Sequence, residues 1–317
     1  MRALITGING FGAGHLAEHL LRQGWQVSGV AYSAELRLAS LRGQVLALAA
    51  DLLDPAATRA ALVAAKPKVI FHLAAQAHVP TAHADPVGTI SNNLLAQLRL
   101  FEAIRALDLD PVIVVACTSD EYGAVRPEDL PVDEDTPLRP NNPYAMSKVA
   151  QDMLALQYYL GYGVRTVRLR LFNHIGPRQD DAYVVASFAH QIARIEARLQ
   201  EPIIRVGNLE GRRDFTDVRD VVRAYELAAV KGEPGEVYNI GTGKPVQIRE
   251  ILDSMVALSR LPIGVETDPA RVRPVDVPVI ACDARRFSAR TGWQPQIPLQ
   301  QSLEDILADW RTRVRSG

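Results

Sequence analysis

Short apolar runs alternate with longer amphipathic segments through the first half of this chain. The runs are rich in Val, Ile, Leu and Ala, which is typical of strands buried on both faces of a parallel sheet. They predict strands at residues 2–6, 26–31, 45–50, 68–72, 111–117 and 163–171. The segments between them predict helices near residues 12–22, 55–65, 87–107 and 143–160. This alternation indicates an α/β fold with a doubly wound parallel sheet that helices cover on both faces.

The second half of the chain has a different character. After about residue 172, loops rich in Pro, Arg and Gly separate shorter elements. The short apolar run 236–240 predicts a strand that returns to the main sheet, so the two parts of the chain interweave. We therefore predict a main domain over residues 1–171 with 218–242 returning to it, and a smaller lobe over 172–217 and 243–317.

Composition favours an ordinary globular protein of 317 residues, long enough for a sizeable core. A net charge of −1 gives no reason to expect nucleic acid or a membrane as partner. The two cysteines, Cys117 and Cys282, are too few for a disulfide framework and fit a cytoplasmic protein. No apolar run approaches the roughly 20 residues that span a bilayer. The histidines are scattered without metal-ligand spacing, so we expect no metal site.

A tyrosine and a lysine lie four residues apart in Asn142-Pro143-Tyr144-Ala145-Met146-Ser147-Lys148. On a helix this spacing places both side chains on one face. An ammonium beside a phenol favours the phenolate, so we expect the pKa of Tyr144 to fall from the usual value of about 10. Such a tyrosine can exchange a proton with a carbinol or ketone oxygen while a hydride moves. The alternative is an ordinary Tyr/Lys pair on a helix surface, and a cofactor site elsewhere in the chain would decide between them.

A glycine-rich turn, Gly7-Ile8-Asn9-Gly10-Phe11-Gly12-Ala13-Gly14, follows the first predicted strand and precedes a helical segment. In this context a dinucleotide pyrophosphate binds at the helix N-terminus, because glycines let main-chain N–H groups approach it. Ala13 stands where a third glycine is usual, while Gly12 and Gly14 keep the segment open. Followed by Tyr144 and Lys148 about 130 residues later, the turn predicts a nicotinamide-dependent oxidoreductase.

Together these motifs resemble the extended short-chain dehydrogenase/reductase family, and the resemblance runs nearly end to end. It implies a Rossmann sheet with a smaller, interwoven C-terminal substrate lobe. Thr118, which follows an apolar run, falls where the family places the first residue of its Ser/Thr-Tyr-Lys triad. A hydroxyl at the carboxyl end of a strand faces the crevice in which ligands bind. We expect Thr118 to hydrogen-bond the substrate oxygen beside Tyr144, and the resemblance implies that Lys148 also bonds the nicotinamide ribose.

The resemblance implies further contacts to the cofactor. Asp51-Leu52 looks like the adenine contact of the family, although a turn residue at a strand end explains Asp51 equally well. The segment from His72 to Gln76 resembles the one that passes below the cofactor ribose and phosphates. The residues expected to bind the cofactor are Gly7, Asn9, Gly10, Phe11, Gly12, Tyr32, Ser33, Asp51, Leu52, Leu73, Ala74, Ala75, Gln76, Asn93, Tyr144 and Lys148.

The end of the second predicted strand bears on which nicotinamide cofactor binds. Ala31 occupies the position where an Asp or Glu would bind the ribose 2′-hydroxyl of NAD. Without a carboxylate there, a 2′-phosphate meets no repulsion, and Ser33 or Arg37 is available to contact it. We therefore expect NADP, with NAD as the alternative.

Three loops of the second half resemble, in order, loops of sugar-nucleotide enzymes that act on GDP-hexoses. They run from Phe172 to Arg178, from Val206 to Phe215 and from Arg273 to Val277. Arginine suits a pyrophosphate because its planar guanidinium bonds two oxygens at once. We expect Asp214 and Asp276 to orient the arginines of these loops, the alternative being that the arginines are solvated at the surface. The expected substrate-binding residues are Asn173, Asn208, Arg213, Arg273 and Asp276.

Asp120 bears on the reaction. The resemblance implies reduction of the 4-keto group of a GDP-4-keto-6-deoxyhexose to give GDP-D-rhamnose, or else the 4,6-dehydration of GDP-mannose, for which family members carry a glutamate two residues after the triad Ser/Thr. Asp120 holds that position with a side chain one methylene shorter, and about an ångström of misplacement costs much of a reaction rate. The neighbouring Glu121 points away if the segment is extended.

We therefore favour the reductase, with Thr118, Asp120, Tyr144 and Lys148 as catalytic residues. A sugar-nucleotide 4-epimerase, which uses the same triad, and a non-catalytic nucleotide-binding relative are the further alternatives.

Two predicted helices suggest an oligomer. One apolar face of each covers the sheet, so a second face needs a partner. The resemblance implies a homodimer in which these helices form a four-helix bundle across a two-fold axis. The alternative is that both helices bury all their apolar side chains within one subunit. The side chains considered are Ile90, Leu94, Leu98 and Phe101 on the first helix and Met146, Met153, Leu154 and Tyr158 on the second.

Overall fold

The computed structural model describes residues 1–271 and 277–316. Its strands are β1 (Arg2–Thr6), β2 (Gln26–Ala31), β3 (Val45–Ala49), β4 (Val69–His72), β5 (Val112–Thr118), β6 (Thr166–Leu171), β7 (Asn173–Ile175), β8 (Ile203–Val206), β9 (Arg212–Asp217), β10 (Val237–Ile240), β11 (Pro245–Gln247) and β12 (Gly264–Thr267). Its helices are α1 (Phe11–Arg22), α2 (Pro55–Ala65), α3 (Val79–Ala84), α4 (Pro86–Ala106), α5 (Pro143–Tyr162), α6 (Val184–Glu196), α7 (Val218–Lys231), α8 (Ile248–Ala257), α9 (Arg285–Thr291) and α10 (Leu299–Ser316).

Seven parallel strands form the main sheet in the order β3-β2-β1-β4-β5-β6-β10. The predicted doubly wound parallel sheet is thereby confirmed, and β10 pairs with β6 as its sequence indicates. The direction of strand addition reverses between β1 and β4. At such a reversal the loops that follow the two strands diverge and leave a crevice at the carboxyl edge of the sheet.

Helices cover both faces of the sheet. On one face, α1 and α7 contribute Leu16, Leu20 and Val221 to a core that also contains Phe71 of β4. On the other face, α2, α4 and α5 pack over residues such as Ile70 in a second core. Burial on both sides explains why the strands of the sheet carry almost continuous apolar runs.

The smaller lobe has a core of its own. The helices α6, α8 and α10 enclose apolar side chains such as Phe188, Leu252 and Leu307. Beside them lie a three-stranded sheet in the order β11-β9-β7 and the parallel pair β8 and β12. We infer from this separate core that the chain divides into the two interwoven lobes proposed above.

Local backbone chemistry sets the ends of α5, the helix that carries Tyr144 and Lys148. The side chain of Asn142 accepts a hydrogen bond from the N–H of Ala145, and Pro143 occupies the first helical position. Gly163 ends the helix in the left-handed conformation, with φ of 71°. Because of this cap, β6 begins at Thr166 and not at the predicted residue 163.

The short helix α3 was not predicted. Its six residues, Val79–Ala84, are too few to show an amphipathic period, and Pro80 within the first turn reads as a loop signal in the sequence. None of the helices in the described part of the chain is long and apolar enough to cross a membrane.

The apolar side chains of α4 and α5 divide differently from the prediction. Phe101 and Tyr158 pack against each other at 5.1 Å between ring centroids within the subunit, and both are buried. They are therefore not available to a second subunit. The side chains that do reach the surface of these two helices are Val87, Leu95, Met146, Met153, Leu160 and Tyr162.

Candidate active site

Lys148 anchors α5 to the central strand of the sheet. Its side chain is 4% exposed, and its ammonium donates a hydrogen bond of 2.7 Å to the main-chain oxygen of Ala116 in β5. Burial lowers the pKa of Lys148, while the nearby Cys117 and Glu121 oppose that shift. The lysine thus sits below the carboxyl end of β5, one helical turn from Tyr144, as the spacing predicts.

Thr118 and Tyr144 lie near each other at this edge of the sheet, and the Thr118 side chain favours the ionised form of the phenol. Burial raises the pKa of Tyr144 well above its usual value, and the carboxylate of Asp120 adds to the rise. The expectation of a lowered pKa for Tyr144 is therefore wrong for the protein as described. The physical reason is that the Lys148 ammonium bonds to the main chain of β5, while the phenol is desolvated beside a carboxylate.

The segment after Thr118 is a turn of 3-10 helix over Ser119–Tyr122, so the condition of an extended segment, on which the predicted direction of Glu121 depended, is not met. The Thr118 hydroxyl accepts a hydrogen bond from the N–H of Asp120, and the carboxylate of Glu121 accepts one from the N–H of Thr118. This reciprocal cap turns Glu121 inward, where it is fully buried. Asp120 is half-buried near Tyr144, on the site side of the turn.

The glycine turn has the shape that a pyrophosphate requires. Gly7 has φ of 71°, and a Cβ added there would lie 3.0 Å from the Cα of Ala74, so only glycine fits. Gly10 precedes the first helical residue, Phe11, and a Cβ on Gly12 would meet no atom within 4 Å. The first turn of α1 therefore leaves open space at its N-terminus, where unpaired N–H groups favour an anion.

Two buried side chains hold the segment after β4 beside this turn. The hydroxyl of Thr6 accepts hydrogen bonds of 3.1 Å from the N–H groups of both Leu73 and Ala74. The amide of Asn93 binds the N–H and the carbonyl of Gln76 and also donates to Ser147 of α5. Asn93 has no exposed surface. It therefore supports the expected cofactor site indirectly, by fixing Gln76 in place.

Asn9 connects the glycine turn to the loop after β2. Its side chain donates to the carbonyl of Glu35 at 2.9 Å and accepts from the N–H of Arg37 at 3.0 Å. The expected cofactor contacts Tyr32 and Ser33 are exposed in this loop. Phe11 stacks on His174 with 6.0 Å between ring centroids, which connects the turn to the smaller lobe.

The remaining residues that were predicted to contact the cofactor are Asp51, Leu52 and Ala75. Asp51 is exposed just after β3, and its carboxylate accepts a hydrogen bond from the N–H of Leu53, which is the behaviour of a turn residue. Leu52 is buried in the core under α2. Ala75 is half-buried in the segment that follows β4.

Three of the five predicted substrate residues lie in the described part of the chain. Asn173 is exposed on β7 and pairs in register with Phe215 of β9, while Asn208 is exposed in the loop after β8. Arg213 is half-buried on β9. The other two predicted residues, Arg273 and Asp276, lie outside the described residues.

Asp214 does not have the expected role of orienting Arg213. Its buried carboxylate accepts hydrogen bonds from the N–H and hydroxyl of Thr242 and from the N–H groups of Gly243 and Cys282. These four donors occupy the lone pairs of both oxygens. Alternate residues of a strand face opposite sides, so Asp214 fixes the loop after β10 while Arg213 faces the other way.

A cavity of about 670 Å³ in the smaller lobe contains arginines that the sequence analysis missed. Arg194 of α6, Arg205 of β8 and Arg271 line it together with His190. Arg271 also donates a hydrogen bond of 3.2 Å to the hydroxyl of Ser187. Single arginines on separate elements give no local pattern, so only the packing of α6 against β8 brings these charges together.

A buried ionic cluster behind Thr118 was also missed. Asp152 of α5 binds Arg168 at 2.6 Å and Arg170 at 2.8 Å, both on β6, and Glu121 lies 3.5 Å from Arg170. Cys117, Glu121 and Asp152 offer ligand atoms within 4.8 Å of one another, but the guanidinium of Arg170 supplies the positive charge there. The sequence signal was two arginines at alternate positions of a buried strand, which require a buried carboxylate.

The fold and this arrangement define a nicotinamide-dependent oxidoreductase of the extended short-chain dehydrogenase/reductase class. The family model described as GDP-mannose 4,6 dehydratase matches residues 4–306. The chain belongs to this family.

Individual relatives cover nearly the whole chain. It is 36% identical over 316 residues to a GDP-6-deoxy-D-mannose reductase of Pseudomonas aeruginosa, with 99% of this chain and 98% of the relative covered. It is 29% identical to a GDP-mannose 4,6-dehydratase of Vibrio cholerae, with 96% and 92% covered. The solved structure of RMD from Pseudomonas aeruginosa in complex with NADPH superposes with a TM-score of 0.87 at 34% identity, covering 99% of this chain and all of that one.

Proposed function

We propose that this protein reduces the 4-keto group of a GDP-4-keto-6-deoxy-mannose with NADPH and releases GDP-D-rhamnose. The observation that carries the proposal is that Thr118 and Tyr144 lie near each other at the carboxyl edge of the sheet, the same edge at which the glycine turn follows β1. A keto group held against these hydroxyls is also close to a cofactor whose pyrophosphate lies on the glycine turn. The similarity to a GDP-6-deoxy-D-mannose reductase identifies the substrate class.

Tyr144 serves as the general acid. Reduction of a ketone requires a proton for the oxygen, and the raised pKa of Tyr144 keeps its phenol protonated at neutral pH. Thr118 donates a hydrogen bond to the same oxygen and so stabilises the negative charge that develops on it. Lys148, fixed on Ala116, holds the part of α5 that carries Tyr144 against β5.

The residues of the crevice fit NADPH. When bound, the cofactor supplies a hydride to C4 of the sugar. The glycine turn and the first turn of α1 receive the pyrophosphate. The β2 strand ends at Ala31 without a carboxylate, and Asn9 holds Arg37 in the following loop, where an exposed guanidinium can meet a 2′-phosphate.

The dehydratase is the second candidate because the family model bears that description. Elimination needs a carboxylate that reaches C5 of the sugar. Glu121 does not serve, because it is buried and caps Thr118 on the far side of the turn. Asp120 faces the site but is one methylene shorter than glutamate, which favours simple reduction over elimination. A 4-epimerase uses the same triad and is distinguished by its product.

For the substrate, we propose that Arg213 and Arg273 bind the pyrophosphate and that Asn173, Asn208 and Asp276 bind the sugar, ribose or base. Arg271, which precedes Arg273 in the sequence, lines the cavity of the smaller lobe. Its three arginines outnumber the carboxylates of Asp181 and Glu201 there, which suits a nucleoside diphosphate.

We further propose that the protein forms a homodimer through α4 and α5. Met153, Leu156 and Leu160 line a shallow apolar groove on α5, and Leu95 of α4 is 41% exposed. Two copies of this surface would cover each other in an isologous contact. The two cysteines are free and buried, which fits the reducing environment expected for a cytoplasmic enzyme.

The proposal is tested by following NADPH absorbance with two substrates. The reductase should oxidise NADPH in the presence of GDP-4-keto-6-deoxy-mannose and leave it unchanged with GDP-mannose. Conversion of GDP-mannose to a keto sugar without added reductant would establish the dehydratase instead. Formation of a GDP-hexose epimer from either compound would establish the epimerase.

A further inference from the structure

We propose that Glu121 is a positioning residue that aims the Thr118 hydroxyl at the reacting oxygen. The proposal rests on the reduction proposed above, in which Thr118 contacts the substrate. Glu121 itself touches neither substrate nor cofactor, and it acts through the 3-10 turn that follows β5.

The turn is closed by two opposed hydrogen bonds. The Glu121 carboxylate accepts from the N–H of Thr118 at 3.0 Å, and the Thr118 hydroxyl accepts from the N–H of Asp120 at 3.3 Å. The N–H of Thr118 belongs to the last residue of β5, so the cap fixes the main chain at the point from which the hydroxyl projects. Because its hydroxyl oxygen accepts from the N–H of Asp120, Thr118 keeps its hydroxyl proton available to donate to a substrate oxygen.

A buried ionic cluster around Arg170 lies next to the Glu121 carboxyl. Its carboxyl has no exposed surface, and its second oxygen lies 3.5 Å from the Nε of Arg170. Arg170 bonds Asp152 at 2.8 Å, the hydroxyl of Tyr122 at 3.1 Å and the carbonyl of Glu134 at 3.1 Å. The second oxygen of Glu121 makes no hydrogen bond within the described residues, so burial and the charge of Arg170 keep the carboxyl in place.

This network has a direct connection to α5. Asp152 lies one helical turn beyond Lys148 on the same helix, and Arg168 binds its other oxygen at 2.6 Å. Burial together with Asp152 raises the pKa of Glu121. A neutral carboxyl at this place can cap Thr118 with one oxygen and carry a proton on the other, so an amide should replace it well.

Two substitutions distinguish the loss of the hydrogen bond between the Thr118 N–H and Glu121 from the loss of side-chain volume at Glu121. Glu121→Leu removes the acceptor and keeps a similar volume, so kcat should fall roughly ten- to a hundredfold, as expected for an ångström-scale misplacement, with little change in KM. Glu121→Gln retains an acceptor for the Thr118 N–H and should recover most of kcat. The matched control is Glu134→Leu, which removes a nearby buried carboxylate that accepts a hydrogen bond from the N–H of Asn239 and lies 3.4 Å from Arg286. It should lower stability without the fall in kcat.

A double-mutant cycle with Thr118→Val tests whether Glu121 acts through the Thr118 hydroxyl. If Glu121 acts through the Thr118 hydroxyl, adding Glu121→Leu to Thr118→Val should cause no further loss of kcat. Losses that multiply would overturn the proposal. So would a Glu121→Gln enzyme that is as slow as Glu121→Leu while both remain folded.

Hydrogen exchange gives a readout that needs no substrate. In Glu121→Leu, amide exchange should accelerate at Thr118 and Asp120 relative to both the wild type and Glu134→Leu. Unchanged protection at Thr118 would overturn the proposal. Should the wild type fail to reduce the keto sugar, the proposed function falls, and the exchange result still decides whether Glu121 holds Thr118.

Discussion

Lys148 and Ala116 are joined by a hydrogen bond of 2.7 Å from the buried ammonium to the main-chain oxygen. This bond joins α5, which carries Tyr144, to β5, which ends at Thr118. It also satisfies the buried cation, whose charge would otherwise be costly at a site with little water. The lysine is thus part of the framework of the site as well as of its chemistry.

The first prediction separates these roles. Tyr144→Phe should lower kcat by about two to four orders of magnitude, the usual contribution of a general acid, while NADPH binding hardly changes. Lys148→Met should lower both kcat and NADPH affinity, because it removes the Ala116 bond and the charge that we expect beside the nicotinamide ribose. Steady-state kinetics and NADPH titration measure the two effects. Tyr162→Phe, at the exposed end of the same helix, is the control, and near-normal turnover in Tyr144→Phe would remove Tyr144 from the mechanism.

The second prediction concerns the choice of NADPH. Arg37→Ala should raise the KM for NADPH by roughly tenfold or more, since a charge-assisted hydrogen bond contributes about 1.5–3 kcal/mol. The KM for NADH, which has no 2′-phosphate, should stay the same. Arg42→Ala, in the same segment but bonded to the carbonyl of Leu36, is the control. An equal effect of Arg37→Ala on both cofactors would show that Arg37 does not contact the phosphate.

The third prediction is a pH dependence of stability. Burial, aided by the Lys148 ammonium, lowers the pKa of His72 to about 3 from the usual 6.5. Below pH 6.5 the unfolded chain therefore takes up a proton at His72 that the native protein does not. Above pH 6.5, His72 has no effect on how the free energy of unfolding changes with pH. As the pH falls from 6.5 toward 3, His72 lowers that free energy by about 1.4 kcal/mol for each pH unit.

Between pH 7.5 and 5 the wild type should thus lose about 2 kcal/mol of unfolding free energy at His72. Urea unfolding of His72→Gln should show a pH loss smaller by that amount, even if the variant is less stable at pH 7.5. The exposed His83 provides the control, because His83→Gln should keep the wild-type pH dependence. An unchanged pH loss in His72→Gln would contradict the account.

The fourth prediction concerns the dimer. Met153→Glu combined with Leu160→Glu should convert the protein to a monomer, because two charges cannot be buried unpaired in an apolar contact. Both side chains are exposed on the subunit, at 39% and 73%. Light scattering at micromolar concentration gives the mass. Val230→Glu, on α7 at the other face of the sheet, should leave the dimer intact. A wild-type mass of one chain would refute the proposed dimer.

The sequence was sufficient to predict the relative positions of residues that are close to one another along the chain. Tyr144 and Lys148 are four residues apart on one helix, and Gly7 to Gly14 follow a single strand, so spacing alone places them. The same holds for Thr118, because the carboxyl end of a parallel strand always borders the crevice. The fold class followed for a similar reason, since each βαβ unit has its own local pattern.

The sequence was insufficient where distant elements meet. Glu121, Asp152 and Arg170 come from a turn, a helix and a strand, and their ionic cluster exists only after these pack. The inward direction of Glu121 depends on the 3-10 turn, which an extended strand pattern does not reveal. The prediction of a lowered pKa for Tyr144 failed for the same reason. The direction of that pKa shift depends on which group the Lys148 ammonium bonds.

A labelled hydride tests whether the protein reduces the keto sugar. With NADPH deuterated at nicotinamide C4 on both faces and GDP-4-keto-6-deoxy-mannose, the protein should place one deuterium on C4 of the sugar. One NADPH should be consumed per GDP-D-rhamnose formed, and NMR with mass spectrometry reads both quantities. If the protein instead converts GDP-mannose to the keto sugar with no label incorporated and no NADPH consumed, it recycles its hydride as a dehydratase and the account is contradicted.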